Sequence, residues 1–383
     1  MSEHETGKPV VYFHVGAPKT GTTFLQRVLW QNRDALRDAG LLYPGDTLGA
    51  QVHAAFDLRE AGFQGYQDPR TPGAWASLVS EARDWAGPVI ISQELFSPAS
   101  DVAIDGALEE LSFADVHLLF TARELSRQIP AAWQEDLKNR FTLTFDEFVA
   151  AVRSPDHDGQ GLGAMFWRMQ DAAEVLARWS RILPPDRVHV ITVPKQADPP
   201  DLLWRRFAGV VRIDPDGYDI SRAFVNTSLG VAETDFLRRL NLALGDEVGW
   251  PLYDEMVNHH LAQDVLANRP KTGPMILRPD DAAWVADRAD SIVESLADAG
   301  YEIVGTLDDL RPTRSEAPVT RPPDDPRIDE PVGLAVEVAA ALLVQMARQR
   351  GSLRAVEGLV RALAVTSGIE PGPARPRRHG ALG

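Results

Sequence analysis

Four short apolar runs, at residues 10–15, 89–91, 116–121 and 188–193, alternate along the chain with stretches of helical periodicity. A strand that is apolar at nearly every position must be buried on both faces. Strands of that kind, separated by helices, build a mostly parallel sheet with helices on either side. The helical stretches are 22–39, 125–139, 163–182, 231–244 and 282–299, the last opened by the capping segment Pro279-Asp280-Asp281. Pro130 lies inside the second, which predicts that this helix begins late or kinks there. The expected fold is therefore an α/β three-layer domain around a mostly parallel sheet.

This domain is expected to span 1–310, because the composition changes beyond it. Residues 311–331 carry 6 prolines in 21 positions with mixed charges, the signature of an extended linker. Residues 332–370 return to a helical pattern (Leu334, Val338, Leu342, Met346, then Val356, Leu359, Val360, Leu363) with Gly351 dividing it. Such a tail reads as a hairpin docking on the main domain or on a second copy in a homodimer; an acceptor-recruiting or membrane-surface role is the alternative. Residues 371–383, with three arginines among Pro and Gly, read as disordered.

Composition narrows the chemistry. The chain has 383 residues and no cysteine, which removes disulfides, thiolate nucleophiles and Cys-ligated metals. Its net charge of −16 argues against a nucleic-acid binder, which needs a broad basic face, but leaves room for a small cationic pocket. No apolar stretch is long enough to cross a bilayer and the polar opening residues do not read as a signal peptide, so a cytoplasmic protein is expected.

The most informative segment is Val11-Tyr12-Phe13-His14-Val15-Gly16-Ala17-Pro18-Lys19-Thr20-Gly21-Thr22-Thr23-Phe24. A buried strand runs into a glycine-containing loop that opens a helix, which aims backbone N–H groups and the positive helix end at an anion. Lys19 adds a full charge, and three threonines add hydroxyls. The alternative is a plain βα turn that happens to contain glycine. An ATP-binding loop of the form G-x-x-x-x-G-K-[ST] has its lysine directly after the second glycine; here Gly21 is followed by Thr22 and the lysine stands before it. Nor do the runs at 89–91 and 116–121 end in a convincing magnesium-binding carboxylate.

The motif Pro18-Lys19-Thr20-Gly21-Thr22-Thr23 resembles the 5′-phosphosulfate loop of sulfotransferases that use 3′-phosphoadenosine-5′-phosphosulfate (PAPS). The resemblance implies a P-loop-like fold, a PAPS donor and a metal-independent transfer. It further implies donor contacts by Lys19, Thr20, Gly21, Thr22, Thr23 and Phe24, with Phe24 beside the adenine, although core packing would also explain a Phe there. Arg123, closing the run Leu118-Leu119-Phe120-Thr121-Ala122-Arg123, matches the arginine that holds the donor's 3′-phosphate in the family; a surface ion pair with Glu124 is the other reading. The serine that the family places eight positions further is Ala131 here, so either Ser126 or Arg127 compensates or the 3′-phosphate is held less tightly. Asn226-Thr227-Ser228-Leu229-Gly230 is similar to a third family segment. The resemblance spans roughly 10–310 and leaves the tail outside.

In such a reaction Lys19 would meet charge developing on the leaving phosphate, and a base would take the acceptor's proton. Two residues compete for that base. Glu94 follows the strand at 89–91, at about the place of the catalytic histidine of cytosolic sulfotransferases, with a helix-start carboxylate as the alternative. His53 follows a further strand-like run, Gly40-Leu41-Leu42-Tyr43-Pro44, near the place of the catalytic glutamate of heparan-type relatives, with a structural histidine as the alternative. Trp133, Gln134, Glu135 and Lys138 are placed to line the acceptor side, with a solvated helix face as the alternative for the last two. The acceptor would be a small-molecule, carbohydrate or lipid-linked hydroxyl, or less readily an amine. His259 and His260 are adjacent and point to different faces, so no shared metal is expected. A magnesium-dependent P-loop kinase or NTPase, and a non-catalytic nucleotide-binding scaffold, are the competing functions.

Overall fold

The computed structural model describes residues 7–154, 161–224, 228–268, 275, 277–312 and a few positions between 335 and 350. Five strands, β1 (Val10–His14), β2 (Val89–Ser92), β3 (Asp115–Ala122), β4 (Val188–Thr192) and β5 (Glu302–Val304), form one all-parallel sheet in the order β2-β1-β3-β4-β5. Helices cover both faces, as the uninterrupted apolar runs require. On one face Tyr12, Ile90, Leu119 and Ile191 pack with Leu25, Val28 and Leu29 of the helix Thr22–Gln31 and with Trp204 and Phe207 of the helix Leu202–Val210. On the other, Phe13, Ile91, Phe120 and Val190 meet the larger helical layer, including Trp133 and Trp179. Phe13 contacts Phe96 and Trp179 edge-on, with ring centroids 5.0 and 5.1 Å away, so the centre of this layer is aromatic.

The strand order places the candidate site. From β1 the chain moves outward to β2, then crosses β1 to form β3. The connections leaving β1 and β3 thus diverge, and a crevice opens between their carboxyl ends, where ligands of open parallel sheets bind.

Several expectations change in detail. The stretch 22–39 is two helices, Thr22–Gln31 and Arg33–Asp38, because Asn32 leaves helical geometry; its amide bonds Asp219 in both directions, Nδ2 donating to the carbonyl at 2.8 Å and Oδ1 accepting the N–H at 3.0 Å. The stretch 163–182 likewise divides into Leu162–Gln170 and Ala172–Trp179, since Asp171 caps the second helix through the N–H groups of Ala173 and Glu174. Pro130 does not delay its helix, which runs from Leu125 to Lys138 with Pro130 buried inside. Proline forfeits an N–H bond and crowds the carbonyl four residues before it, and burial of Leu125, Ile129, Trp133 and Leu137 on the core side offsets that cost. The final long helix starts at Pro279, ahead of the periodic apolar positions.

β5 was not foreseen. Three residues at a sheet edge, Glu-Ile-Val, carry no periodicity. The described tail positions are helical; Ala339 and Leu343 rest against the larger core layer, and Arg348 pairs with Glu247 at 2.9 Å. The linker from 313 onward and the segment 371–383 lie outside the described residues. Among the described residues no helix is long and apolar enough to cross a membrane.

Candidate active site

The loop after β1 is held from below. Beyond His14 the ladder with β3 continues: Val15 donates to Leu119 and Ala17 to Thr121, each at 3.0 Å, while Thr121 donates to Gly16 at 2.7 Å. Beneath the loop lies a chain of buried polar side chains. His14 Nδ1 meets Ser92 Oγ at 2.8 Å, and its Nε2 meets Thr121 Oγ1 at 3.2 Å. Thr121 Oγ1 also accepts from Thr20 Oγ1 at 2.5 Å and donates to the Gly16 carbonyl at 2.9 Å. The Thr20 hydroxyl is therefore turned inward, its one proton shared between Thr121 Oγ1 and Ala17 O, each 2.5 Å away. Of Thr20, the backbone N–H is what remains to face a ligand.

Burial holds His14 neutral, its pKa pulled down to about 4 from 6.5. Because the folded value lies below the unfolded one, the unfolded chain takes up the proton first as pH falls. The neutral network contributes fully above about pH 6.5 and loses about 3 kcal/mol by pH 4. Urea unfolding between pH 7 and pH 4 is expected to show this loss, and His14→Gln to flatten it. A variant with an unchanged slope would remove His14 from the account. His117 and His189 are also held down by burial, so part of the slope persists.

From Lys19 the backbone turns sharply. Lys19 (φ 64°) and Gly21 (φ 91°) both occupy the left-handed region, the first at a cost of about 1–2 kcal/mol for a side-chain-bearing residue. At Gly21 a Cβ would stand 2.4 Å from Leu203 Cδ2, so the turn suits glycine on two counts. Chains that alternate into this region form concavities where successive N–H groups converge on an anion. The N–H groups of Lys19, Thr20, Gly21, Thr22 and Thr23 have no protein acceptor among the described residues. The helix Thr22–Gln31 follows at once and carries no side-chain cap.

Three further elements reach the loop. Arg123, just beyond β3, donates through Nη1 to the Lys19 carbonyl at 2.9 Å. Its Nε is buried and has no hydrogen-bond partner among the described residues. Burial, with Arg127 nearby, pulls the guanidinium down to about 10, and Glu124 only partly offsets this. A desolvated arginine with a spare donor is costly unless an anion completes it. Arg127 instead pairs with Glu124 at 3.6 Å, and Ala131 is half-buried one turn further on.

Glu94, in the 3₁₀ turn after β2, accepts from Gln26 Nε2 of the loop helix at 2.7 Å. Burial raises its pKa; the Gln26 amide, the Thr22 hydroxyl and the Lys19 charge pull the other way without cancelling the rise. Burial and the Glu94 charge together push Tyr43 well above the ordinary phenol range.

The helix Leu125–Lys138 supplies the rest. Gln128 donates to Pro18 O at 3.1 Å and bonds Gln170. Gln134 clamps Leu229 through both its backbone groups, at 2.8 and 3.1 Å, which fixes the described part of the segment 226–230; Asn226 and Thr227 lie outside the described residues. Glu135 Oε2 binds Lys19 Nζ at 2.9 Å and Lys138 Nζ at 3.4 Å. This is no solvated helix face: the Lys138 side chain is 2% exposed, Glu135 37% and Lys19 26%. Burial alone would raise the Glu135 carboxyl, but the two ammonium groups take it down to about 2. At this exposure the Lys19–Glu135 pair is worth about 0.2–1 kcal/mol, so a bound anion can displace it.

Phe24 stacks on Phe224 with ring centroids 4.6 Å apart, and Phe224 is 49% exposed, so an aromatic surface borders the loop. Thr23 is exposed and Thr22 buried at the helix start.

The fold thus brings Lys19, Gly21, Thr22, Thr23, Phe24, Glu94, Arg123 and Glu135 to one end of the sheet. His53 lies on the helix Ala50–Leu58, which packs against the turn that carries Glu94; its charged neighbours are Arg70 and Asp68, and among the described residues no hydrogen bond ties it to Lys19 or Glu94. His259 and His260 pair with different carboxylates, Asp254 and Asp264. Gln26, Gln128 and Phe224 escape sequence reasoning because no local pattern marks them. His14, polar within an apolar strand, was the visible hint of the buried network. No protein-family model, curated protein or solved structure matches this chain.

Proposed function

We propose that this chain is a sulfotransferase. It would move the sulfuryl group of PAPS to a hydroxyl of a carbohydrate, lipid-linked or small-molecule acceptor. The observation that carries the reading is the pairing of two anion sites at the β1/β3 crevice. One is a loop whose N–H groups have no acceptor among the described residues, with Lys19 at its mouth. The other is a buried arginine, bonded to that same loop, whose Nε has no partner among the described residues. A ligand with separate anionic groups at its 5′ and 3′ positions uses both. Phe24 and Phe224 offer a flat surface for its base.

The acceptor oxygen attacks sulfur in line; the bond from sulfur to the bridging phosphate oxygen breaks, and the electron pair stays on the phosphate. Lys19 and the loop N–H groups stabilise that charge as it forms. Glu94 takes the hydroxyl proton: its raised pKa makes it a stronger base than an ordinary carboxylate, and Gln26 fixes its position. β3, beside β1, ends in Thr121 and Ala122, followed by Arg123, where a magnesium-dependent NTPase would carry a carboxylate.

Titration with 3′-phosphoadenosine-5′-phosphate, followed by thermal unfolding, tests the reading. At a hundred times the dissociation constant, bound ligand adds about 2.7 kcal/mol, a rise of several degrees. Stabilisation by magnesium-ATP and not by the bisphosphate would replace the sulfotransferase by a kinase or NTPase.

A further inference from the structure

We propose that Glu135 is a latch on Lys19: it holds the loop ammonium while no anion is bound and is retained by Lys138 when an anion takes Lys19 away. The inference rests on the loop being an anion site. A single oxygen, Glu135 Oε2, is shared by Lys19 Nζ at 2.9 Å and Lys138 Nζ at 3.4 Å. The two ammonium groups differ in their freedom. Lys138 is 2% exposed, three residues from Glu135 on the same helix, and cannot exchange its partner for water. Lys19 is 26% exposed and sits on the loop itself.

An anion on the loop N–H groups therefore competes with Glu135 for Lys19. The carboxylate left behind would repel that anion if it stood alone. Lys138 is the reserve charge that prevents this, so Lys19 can turn to the ligand without creating an unpaired carboxylate at the site. The helix is tied to the loop a second time through Gln128 and Pro18 O, at 3.1 Å, so the latch and the loop keep a fixed relation. Glu135 is a positioning residue in this scheme: it acts through Lys19 and touches no reacting atom.

The two partners of the latch predict opposite effects. Calorimetric titration of 3′-phosphoadenosine-5′-phosphate at low ionic strength would be run on the full chain, on Glu135→Gln and on Lys138→Met. Removing the competitor in Glu135→Gln should tighten binding about three- to fivefold, the effect of a pair of this exposure. Lys138→Met leaves Glu135 with Lys19 alone and should weaken binding by a similar factor. Weakening in both variants, or no change in Glu135→Gln, overturns the latch; with normal binding by the unaltered chain, the donor reading stands. A second measurement needs no ligand. Labelling by acetic anhydride, read by mass spectrometry, should increase several-fold at Lys19 in Glu135→Gln and decrease in Lys138→Met. Unchanged labelling overturns the latch even where the bisphosphate fails to bind, an outcome that separately removes the donor reading.

Discussion

Replacing Lys19 by alanine is expected to lower sulfuryl transfer at least about a hundredfold, the usual loss when one group that stabilises transition-state charge is removed. The expectation follows from position. Lys19 is the ammonium at the mouth of a loop whose five successive N–H groups have no acceptor among the described residues. Those N–H groups can still hold the donor in the variant, so the loss should fall mainly on turnover and less on donor affinity. Stability should change little, because the Lys19 side chain is part-exposed and its pair with Glu135 is weak. Initial rates with labelled donor, beside a thermal melt, check both halves. An alanine variant with full activity would show that the transferred group lies elsewhere.

The second large effect is expected at Glu94. Glu94→Gln preserves the shape and a hydrogen bond to Gln26 but cannot accept a proton, and the rate should fall about 10²–10⁴-fold. The pH dependence is the sharper readout. A base works in its deprotonated form, so kcat/KM should rise with pH through the Glu94 pKa, which burial has raised above the ordinary glutamate value, and level off beyond it. That acidic limb should vanish from the residual activity of Glu94→Gln. His53→Ala, whose charged neighbours are Arg70 and Asp68, should keep the limb and most of the rate. The reverse pattern, with the limb lost in His53→Ala, would make the histidine the base; its helix, Ala50–Leu58, packs on the turn that carries Glu94.

These two residues illustrate how unevenly a site can be read from a chain. Lys19 was legible because everything that places it is local: a buried strand, a left-handed turn at Gly21 and a helix start, all within a dozen residues. Arg123 was legible for the same reason, as the residue that ends a strand. Choosing between Glu94 and His53 was not a local matter. Both follow a strand-like run, yet Gly40-Leu41-Leu42-Tyr43-Pro44 makes only an isolated bridge, Leu42 to Val89, at the sheet edge. Glu94 leaves a full strand beside β1 and reaches the loop helix through Gln26.

Glu135 and Lys138 show the same limit from the other side. Their spacing fits a solvent-facing pair on any helix, and only the packing of that helix on the loop makes one of them buried and the other a partner of Lys19. Thr20 is the counterpart within the motif. Its hydroxyl was expected to face the donor, but the polar chain through Thr121 and His14 draws it inward.

Sequence by itself determined the class of fold, the strands β1 to β4, the glycine-containing loop that opens a helix after β1 and the cationic residues Lys19 and Arg123 beyond β1 and β3. Such features are written in patterns of a few consecutive residues, through backbone preference and the demand that apolar runs be buried. The tertiary structure alone decided the strand order, the short edge strand β5, the splitting of two long helices, the hydrogen bond of Glu94 to the loop helix and the pairing of Lys19 with Glu135. Those outcomes depend on residues that are far apart in sequence, such as Lys19 and Glu135 or Gln26 and Glu94, being brought within hydrogen-bond distance by the packing of helices on the sheet.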